Sequence, residues 1–327
     1  MKKEILKIII FNFFFIIIFI FIAESILRIL NLSQIQGYKV ELLDKSLHKI
    51  RKNTEGVVLG EKVYVDQNGY RIPYKEFTYS GKEKILFLGD SVTFGVGVKE
   101  EDSFVGIFRE NFKIKKIYNL SLFGYQVSHI SEQLNEIENL LPVKKIIYFV
   151  TLNDVYDDSN VLIGKIEENM QSGKIKKLLN NEVLIKINVF LREKSFLFTF
   201  LKGVVLDPSK SWFQNVLNYY KQNELENMRS FLLKFEEFSK SNDIKYHIFL
   251  LPYEYQTRDC NKKILYPQTK LRELTSNIGN NLIDLTKNFC EYNDPKKLFL
   301  KYDPMHLSRE GHKFVYDLTK NKILEDE

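Results

Sequence analysis

The residues best suited to covalent chemistry are a serine that closes a short apolar run and an aspartate–histidine pair near the other end of the chain. Ser91 follows Gly89 and Asp90 and opens Val92-Thr93-Phe94-Gly95-Val96-Gly97. At the start of a helix or loop, free N–H groups point outward and favour a developing alkoxide or oxyanion. Asp303 and His306 stand three residues apart in Asp303-Pro304-Met305-His306, so one short segment can hold both. The carboxylate can orient the imidazole and stabilise its charged form, while the other ring nitrogen takes a serine proton.

Two further positions offer donors to the same oxyanion. Gly124, in Asn119-Leu120-Ser121-Leu122-Phe123-Gly124, allows close backbone approach and an N–H. Asn153, in Thr151-Leu152-Asn153-Asp154, can donate its side-chain amide. Singly, each has a plainer explanation. Gly-Asp-Ser serves as a tight turn after a strand, Gly124 as a strand-to-helix glycine, and Asn153-Asp154 as a turn or helix cap. Asp303 to His306 also fits a surface loop before a helix capped at Ser308. What carries weight is their order and their common placement at strand ends.

The elements that must position them are legible as apolar runs. Residues 84–90, 114–122, 145–151, 244–251 and 281–285 read as five short strands, several ending in turn residues. Amphipathic stretches at 104–112, 127–140 and 217–239 lie between them. Such alternation predicts an α/β fold, a parallel sheet with helices on both faces, and a ligand at the carboxyl ends of the strands. The third and fourth strands are separated by roughly ninety residues, far beyond an ordinary crossover. A helical insertion is therefore expected at about 155–240, with extra helices at 155–212 able to cap the site.

Residues 5–23 are almost wholly apolar, with Lys7 near their start and Asn12 the one polar interruption of the run that follows it. About twenty such residues at 1.5 Å rise span the roughly 30 Å hydrocarbon core of a bilayer, and backbone satisfaction in lipid requires a helix. Lys2, Lys3 and Lys7 precede the run and Arg28 follows it, which leaves the N-terminus in the cytoplasm and exports the rest. Residues 1–30 thus read as an uncleaved signal anchor. A cleaved signal peptide is the competing reading, disfavoured because no clean small-x-small site follows. Residues 31–81 read as a stalk and lead-in, with a hairpin around Asn68-Gly69 serving as an ordinary surface turn. The remaining domain runs from 82 to 327.

Composition excludes several other classes. The net charge of +6 is dispersed in short clusters, with no basic run interleaved with aromatics as a nucleic-acid surface would have. Cys260 and Cys290 are too few for a disulfide framework or a zinc site; outside the cytoplasm they can pair, and two free thiols fit equally well. Gly89 to Gly97 lacks the lysine of a P-loop. His312 is expected on a final helix, His129 on a helix surface, and His247 in the core. Asp154, Asp157 and Asp158 lack the spacing of a calcium loop and read as loop caps.

Taken together, the blocks resemble those of the SGNH or GDSL hydrolases. Gly89-Asp90-Ser91 matches the nucleophile block, Gly124 the glycine block, Asn153 the asparagine block, and Asp303 with His306 the final Asp-x-x-His block. The resemblance covers roughly residues 82–320. It implies a three-layer α/β/α fold of flavodoxin-like type with a five-stranded parallel sheet, and an oxyanion hole formed by the N–H groups of Ser91 and Gly124 with the Asn153 side chain. It also implies hydrolysis of an acyl ester, acetyl foremost, without a metal or organic cofactor. One departure stands out: Thr151 occupies a position usually held by glycine, which is expected to narrow the pocket or alter the turn. The lead-in Asn68-Gly69-Tyr70-Arg71 and the membrane segment look like a bacterial subgroup linked to surface polysaccharide modification. Two other functions fit the same residues, acyl transfer to a cell-surface polysaccharide and a non-catalytic role in envelope assembly.

Overall fold

The computed structural model describes residues 2–30, 32, 42–44, 49–156, 182–278 and 282–324. Asp157 and Asp158 lie outside them. Composition dictates the first element: α1 (Lys2–Ile29) is a single helix of 28 residues. It is long and apolar enough to cross a membrane, and none of its apolar window is buried inside the protein.

Among its described residues, the lead-in holds five short strands. β1 (Leu43–Asp44) pairs antiparallel with β2 (Lys49–Ile50). β3 (Thr54–Val58), β4 (Glu61–Val65) and β5 (Arg71–Ile72) form a three-stranded antiparallel sheet. The expected hairpin joins β4 to β5, with Gly69 at φ +96 and the Asp66 carboxylate accepting the N–H groups of Asn68 and Tyr70. It is more than a surface turn, because it delivers Arg71, which is completely buried. Val63, Val65 and Ile72 are buried with it.

The remaining strands are β6 (Glu83–Leu88), β7 (Lys115–Asn119), β8 (Lys145–Val150), β9 (Lys245–Leu250) and β10 (Leu282–Asp284). They form one parallel sheet in the order β10-β9-β8-β6-β7. β8 sits at its centre and every residue of it is buried. That is why the strand is apolar throughout rather than alternating.

Helices cover both faces. α2 (Ser91–Phe94) and α3 (Phe104–Asn111) follow β6, and α4 (Val127–Ile137) follows β7. α5 (Glu182–Lys194), α6 (Phe196–Leu206), α7 (Pro208–Gln222) and α8 (Glu226–Ser241) lie between β8 and β9. α9 (Glu254–Thr257), α10 (Tyr266–Asn277), α11 (Thr286–Cys290) and α12 (Arg309–Leu324) complete the described α-helices. The period-2 alternation of β8 assigns the faces. Phe149 packs on Phe104 of α3 at 4.5 Å between ring centroids, and Phe108 of α3 packs on Tyr316 of α12. Tyr148, pointing the other way, meets Phe231 and Phe235 of α8. This is the expected three-layer α/β/α arrangement.

One expected helix is in fact two. The amphipathic stretch 217–239 is broken between α7 and α8, where Leu225 adopts φ +61 and Asn223 ends α7. Lys270 of α10 donates to the carbonyls of Tyr220 and Asn223, satisfying the open end of α7. Cys260 and Cys290, left open on sequence grounds, form a disulfide with their Cα atoms 6.3 Å apart.

Candidate active site

The site is assembled at the carboxyl edge of the sheet, where β6, β7, β8 and β9 end. Gly89 closes β6 with φ +149, and a Cβ there would overlap the Thr93 hydroxyl and come within 2.9 Å of the Phe149 carbonyl. Only glycine lets the chain turn this tightly against β8. Asp90 then caps α2, its Oδ1 accepting the Val92 N–H at 2.9 Å, and Ser91 is the first residue of the helix.

Asp303 and His306 come from a tight loop between residues 299 and 307. Phe299 and Leu307 bridge antiparallel, and the Leu300 N–H donates to the His306 carbonyl at 2.9 Å. Asp303 Oδ1 accepts the N–H groups of Met305 and His306 at 2.9 and 2.7 Å, which fixes the carboxylate. Its Oδ2 lies 2.8 Å from His306 Nδ1, and His306 Nε2 lies 2.8 Å from Ser91 Oγ. With the Nδ1 hydrogen directed at the carboxylate, Nε2 is the acceptor for the serine hydroxyl.

Electrostatics suit that arrangement. Burial opposes charge on His306, but the Asp303 carboxylate outweighs it and raises the imidazole above its usual 6.5. Burial likewise opposes the Asp303 charge, while the imidazole and the two loop N–H groups hold the carboxyl below its ordinary range. No hydrogen bond within the described chain uses the N–H of Ser91 or of Gly124, whose φ is +83.

Asn153 is part of a buried network that sequence reasoning missed. Its amide nitrogen donates to Asp90 Oδ2 at 3.2 Å, which leaves its second hydrogen unused in that bond. Its oxygen accepts from the Tyr253 hydroxyl at 2.7 Å, and Tyr253 accepts from the Trp212 indole. Thr151 does not narrow a pocket. It is 1% exposed, and its hydroxyl lies 2.8 Å from both Asp90 Oδ2 and Asp154 Oδ1. The interior absorbs the added side chain because two carboxyl groups there need a bridging hydroxyl.

That bridge locates a proton. A hydroxyl has one hydrogen and cannot donate to two carboxylates. Asp90 Oδ2 also accepts from Asn153, and Asp154 Oδ2 accepts from the Tyr148 hydroxyl and the Thr151 N–H at 2.8 and 3.1 Å. Thr151 Oγ1 also lies 3.0 Å from Asn153 Oδ1, so its single hydrogen serves one of three oxygens, and one carboxyl of the Asp90–Asp154 pair must carry a proton. Burial raises both carboxyls, and Asp154, where the charge of Asp90 adds to it, well above its ordinary range, so the shared proton is assigned to Asp154. Asp154 is therefore a buried member of this network rather than a loop cap.

The other histidines among the described residues sit apart from this chemistry. His312 is buried on α12, its Nδ1 accepts the Phe104 N–H at 3.2 Å, and burial pushes its pKa down to about 3. His129 lies in the first turn of α4, where its Nδ1 accepts the Gln126 N–H and its ring stacks on Tyr125. His247 is half-buried in β9 near Phe249. Among the described residues no cluster of histidine, cysteine and carboxylate side chains could hold a metal ion.

A parallel α/β/α sandwich carrying a Ser–His–Asp chain at the edge of its sheet thus defines the class of protein by fold and site. Comparison of the sequence with protein-family models and with curated proteins finds no match. Among solved structures, the chain is similar to an acetyl xylan esterase at 16% identity and TM-score 0.43, over 73% of this chain and 99% of that one. It is similar to a lipase/acylhydrolase from Enterococcus faecalis at 14% identity and TM-score 0.43, over 74% and 95% of the two chains. A member of the lipolytic G-D-S-L family from Veillonella parvula gives 11% identity and TM-score 0.42, over 73% and 97%.

Proposed function

We propose that this protein is a membrane-anchored serine esterase that cleaves an acyl ester outside the cytoplasm. The observation that carries the reading is the continuous chain from Ser91 Oγ through the His306 ring to Asp303, with both links at 2.8 Å. Ser91 attacks the acyl carbonyl as His306 Nε2 takes its proton, and Asp303 stabilises the imidazolium. The N–H groups of Ser91 and Gly124, with the remaining amide hydrogen of Asn153, receive the oxyanion. His306 then returns its proton to the leaving alcohol, and water attacks the acyl-enzyme by the same route in reverse. Ser91, Asp303 and His306 are each less than a tenth exposed, which suits a small acyl group such as acetyl.

Support for the anchor comes from the length and apolarity of α1 and from the lysines that precede it. Support for export comes from the Cys260–Cys290 disulfide, since such bonds persist in oxidising compartments. The full-length protein in detergent is expected to hydrolyse p-nitrophenyl acetate and to be labelled by a fluorophosphonate on the peptide containing Ser91. Ser91→Ala is expected to lower kcat by about three orders of magnitude or more while the protein stays folded. Full activity in that variant would overturn the proposal.

A further inference from the structure

α6 presents its polarity the wrong way round for a helix of a water-soluble domain. Thr199 and Gly203, one turn apart, are buried against the domain, while Leu201, Val204 and Val205 on the opposite side are 52, 60 and 74% exposed. On α5, Ile187 and Phe190 add exposed apolar surface three residues apart. Contiguous apolar surface of this kind marks a contact with something other than water.

The position of the patch says what that contact is. Glu24, one residue beyond the apolar run of α1, accepts hydrogen bonds from the Ser195 hydroxyl and from the N–H groups of Phe196 and Leu197. Arg28 donates to the Lys194 carbonyl, and its guanidinium lies 4.7 Å from the centre of the Phe196 ring. The start of α6 is therefore tied to the end of α1 where that helix would leave the lipid. At 11 residues, or about 16 Å, α6 is too short to cross a bilayer but suited to lying along its surface. Exposed Lys186, Lys194 and Lys210 bracket the apolar residues with cations matched to phosphate headgroups.

We propose that the outer face of α5 and α6 is a lipid-contact surface, seated in the headgroup layer of the membrane that α1 crosses. The proposal rests on the anchor reading given above. It has a consequence for the active site, because α6 reaches the catalytic loop from its other side. Phe200 packs edge-on against Tyr302, and Gly203 sits so close to that ring that no Cβ fits; just beyond α6, the Ser209 hydroxyl at the start of α7 donates to the Asp303 carbonyl. A membrane-seated α6 would hold Asp303 and His306 at a fixed height above the lipid, where an ester carried by a lipid or lipid-linked molecule is presented.

The test places the photoreactive residue p-benzoylphenylalanine at Val205 of the full-length chain, reconstituted in vesicles of phosphatidylcholine and phosphatidylglycerol. A control chain carries it at Phe15 in α1. Illumination is expected to add the mass of a phospholipid at both positions, with p-nitrophenyl acetate hydrolysis within roughly twofold of the parent. Lipid adducts at position 15 but not at 205 would overturn the surface and leave the anchor standing. A cross-linked dimer through position 205 would assign the face to a second copy of the chain and overturn the lipid contact. Absence of adducts at 15 would overturn the anchor and the surface with it, while Ser91 labelling would still report on the esterase separately.

Discussion

At the residue scale, the proposed mechanism turns on how two carboxyl groups are kept in different states. Asp303 stays ionised because it receives two backbone N–H groups and faces an imidazole. Burial and the nearby Asp90 raise Asp154 well above its ordinary range and so favour its neutral form. The base works only when His306 is unprotonated, so kcat/KM is expected to fall as pH drops through a midpoint above 6.5. Asp303→Asn removes the group that raises the imidazole and leaves burial, which lowers it. The midpoint in that variant should move down along with the rate, and a pH–rate profile checks both. Asp154→Asn should be well tolerated, since a carboxamide can donate to Thr151 and accept from Tyr148 as the protonated acid does. Asp90→Asn should be harmful, because its amide would face the donors on Val92 or those on Thr151 and Asn153. A buried donor left unmatched costs about 1–3 kcal/mol, measurable by denaturant unfolding. Equal effects of the two substitutions would refute the proton assignment.

At the element scale, short segments hold the proposed catalytic groups through contacts far apart in sequence. Arg71 on β5 donates to the carbonyls of Phe94, Gly95 and Val98, fixing the loop that follows the nucleophile helix. α6 holds the other side. Tyr302, immediately before Asp303, has φ +59, a conformation that costs energy for a residue with a Cβ and persists only where packing enforces it. The enforcing contact is the flat space above Gly203. Gly203→Ala should displace the Tyr302 ring and lower kcat by about tenfold through loss of positioning, as a misplaced catalytic group does. Because position 203 lies on the buried side of α6, fluorophosphonate labelling of Ser91 should slow in parallel. Unchanged kinetics would mean that the loop holds its geometry without α6.

At the scale of the whole molecule, an apolar helix, a disulfide-bearing domain and a site on the sheet edge form one continuous body. α1 joins α6 through Glu24 and Arg28, and α6 joins the catalytic loop through Tyr302. The disulfide ties the loop after α9 to the end of α11. Protein isolated from cells without reductant should resist alkylation at Cys260 and Cys290 and take up two equivalents after reduction. Two alkylated thiols in the unreduced sample would place the domain in a reducing compartment and contradict export.

The five strands were legible in the sequence because each centres on an apolar run, several of them ended by turn residues, and burial of the central strands on both faces demands such a run. The residues of the Ser–His–Asp chain were legible too, since Gly-Asp-Ser and Asp-x-x-His are local patterns that a single loop can hold. Tyr253, Trp212 and the proton on Asp154 were not. Their roles depend on where β8, β9 and α7 bring side chains that are up to a hundred residues apart in sequence, and no local period records such a meeting. The same holds for Arg71, read as part of a surface turn until its burial shows what it grips, and for the break between α7 and α8, hidden inside an uninterrupted amphipathic pattern. Periodicity and composition determine which segments must leave water; only the packed chain decides which polar groups are left facing each other once they have done so.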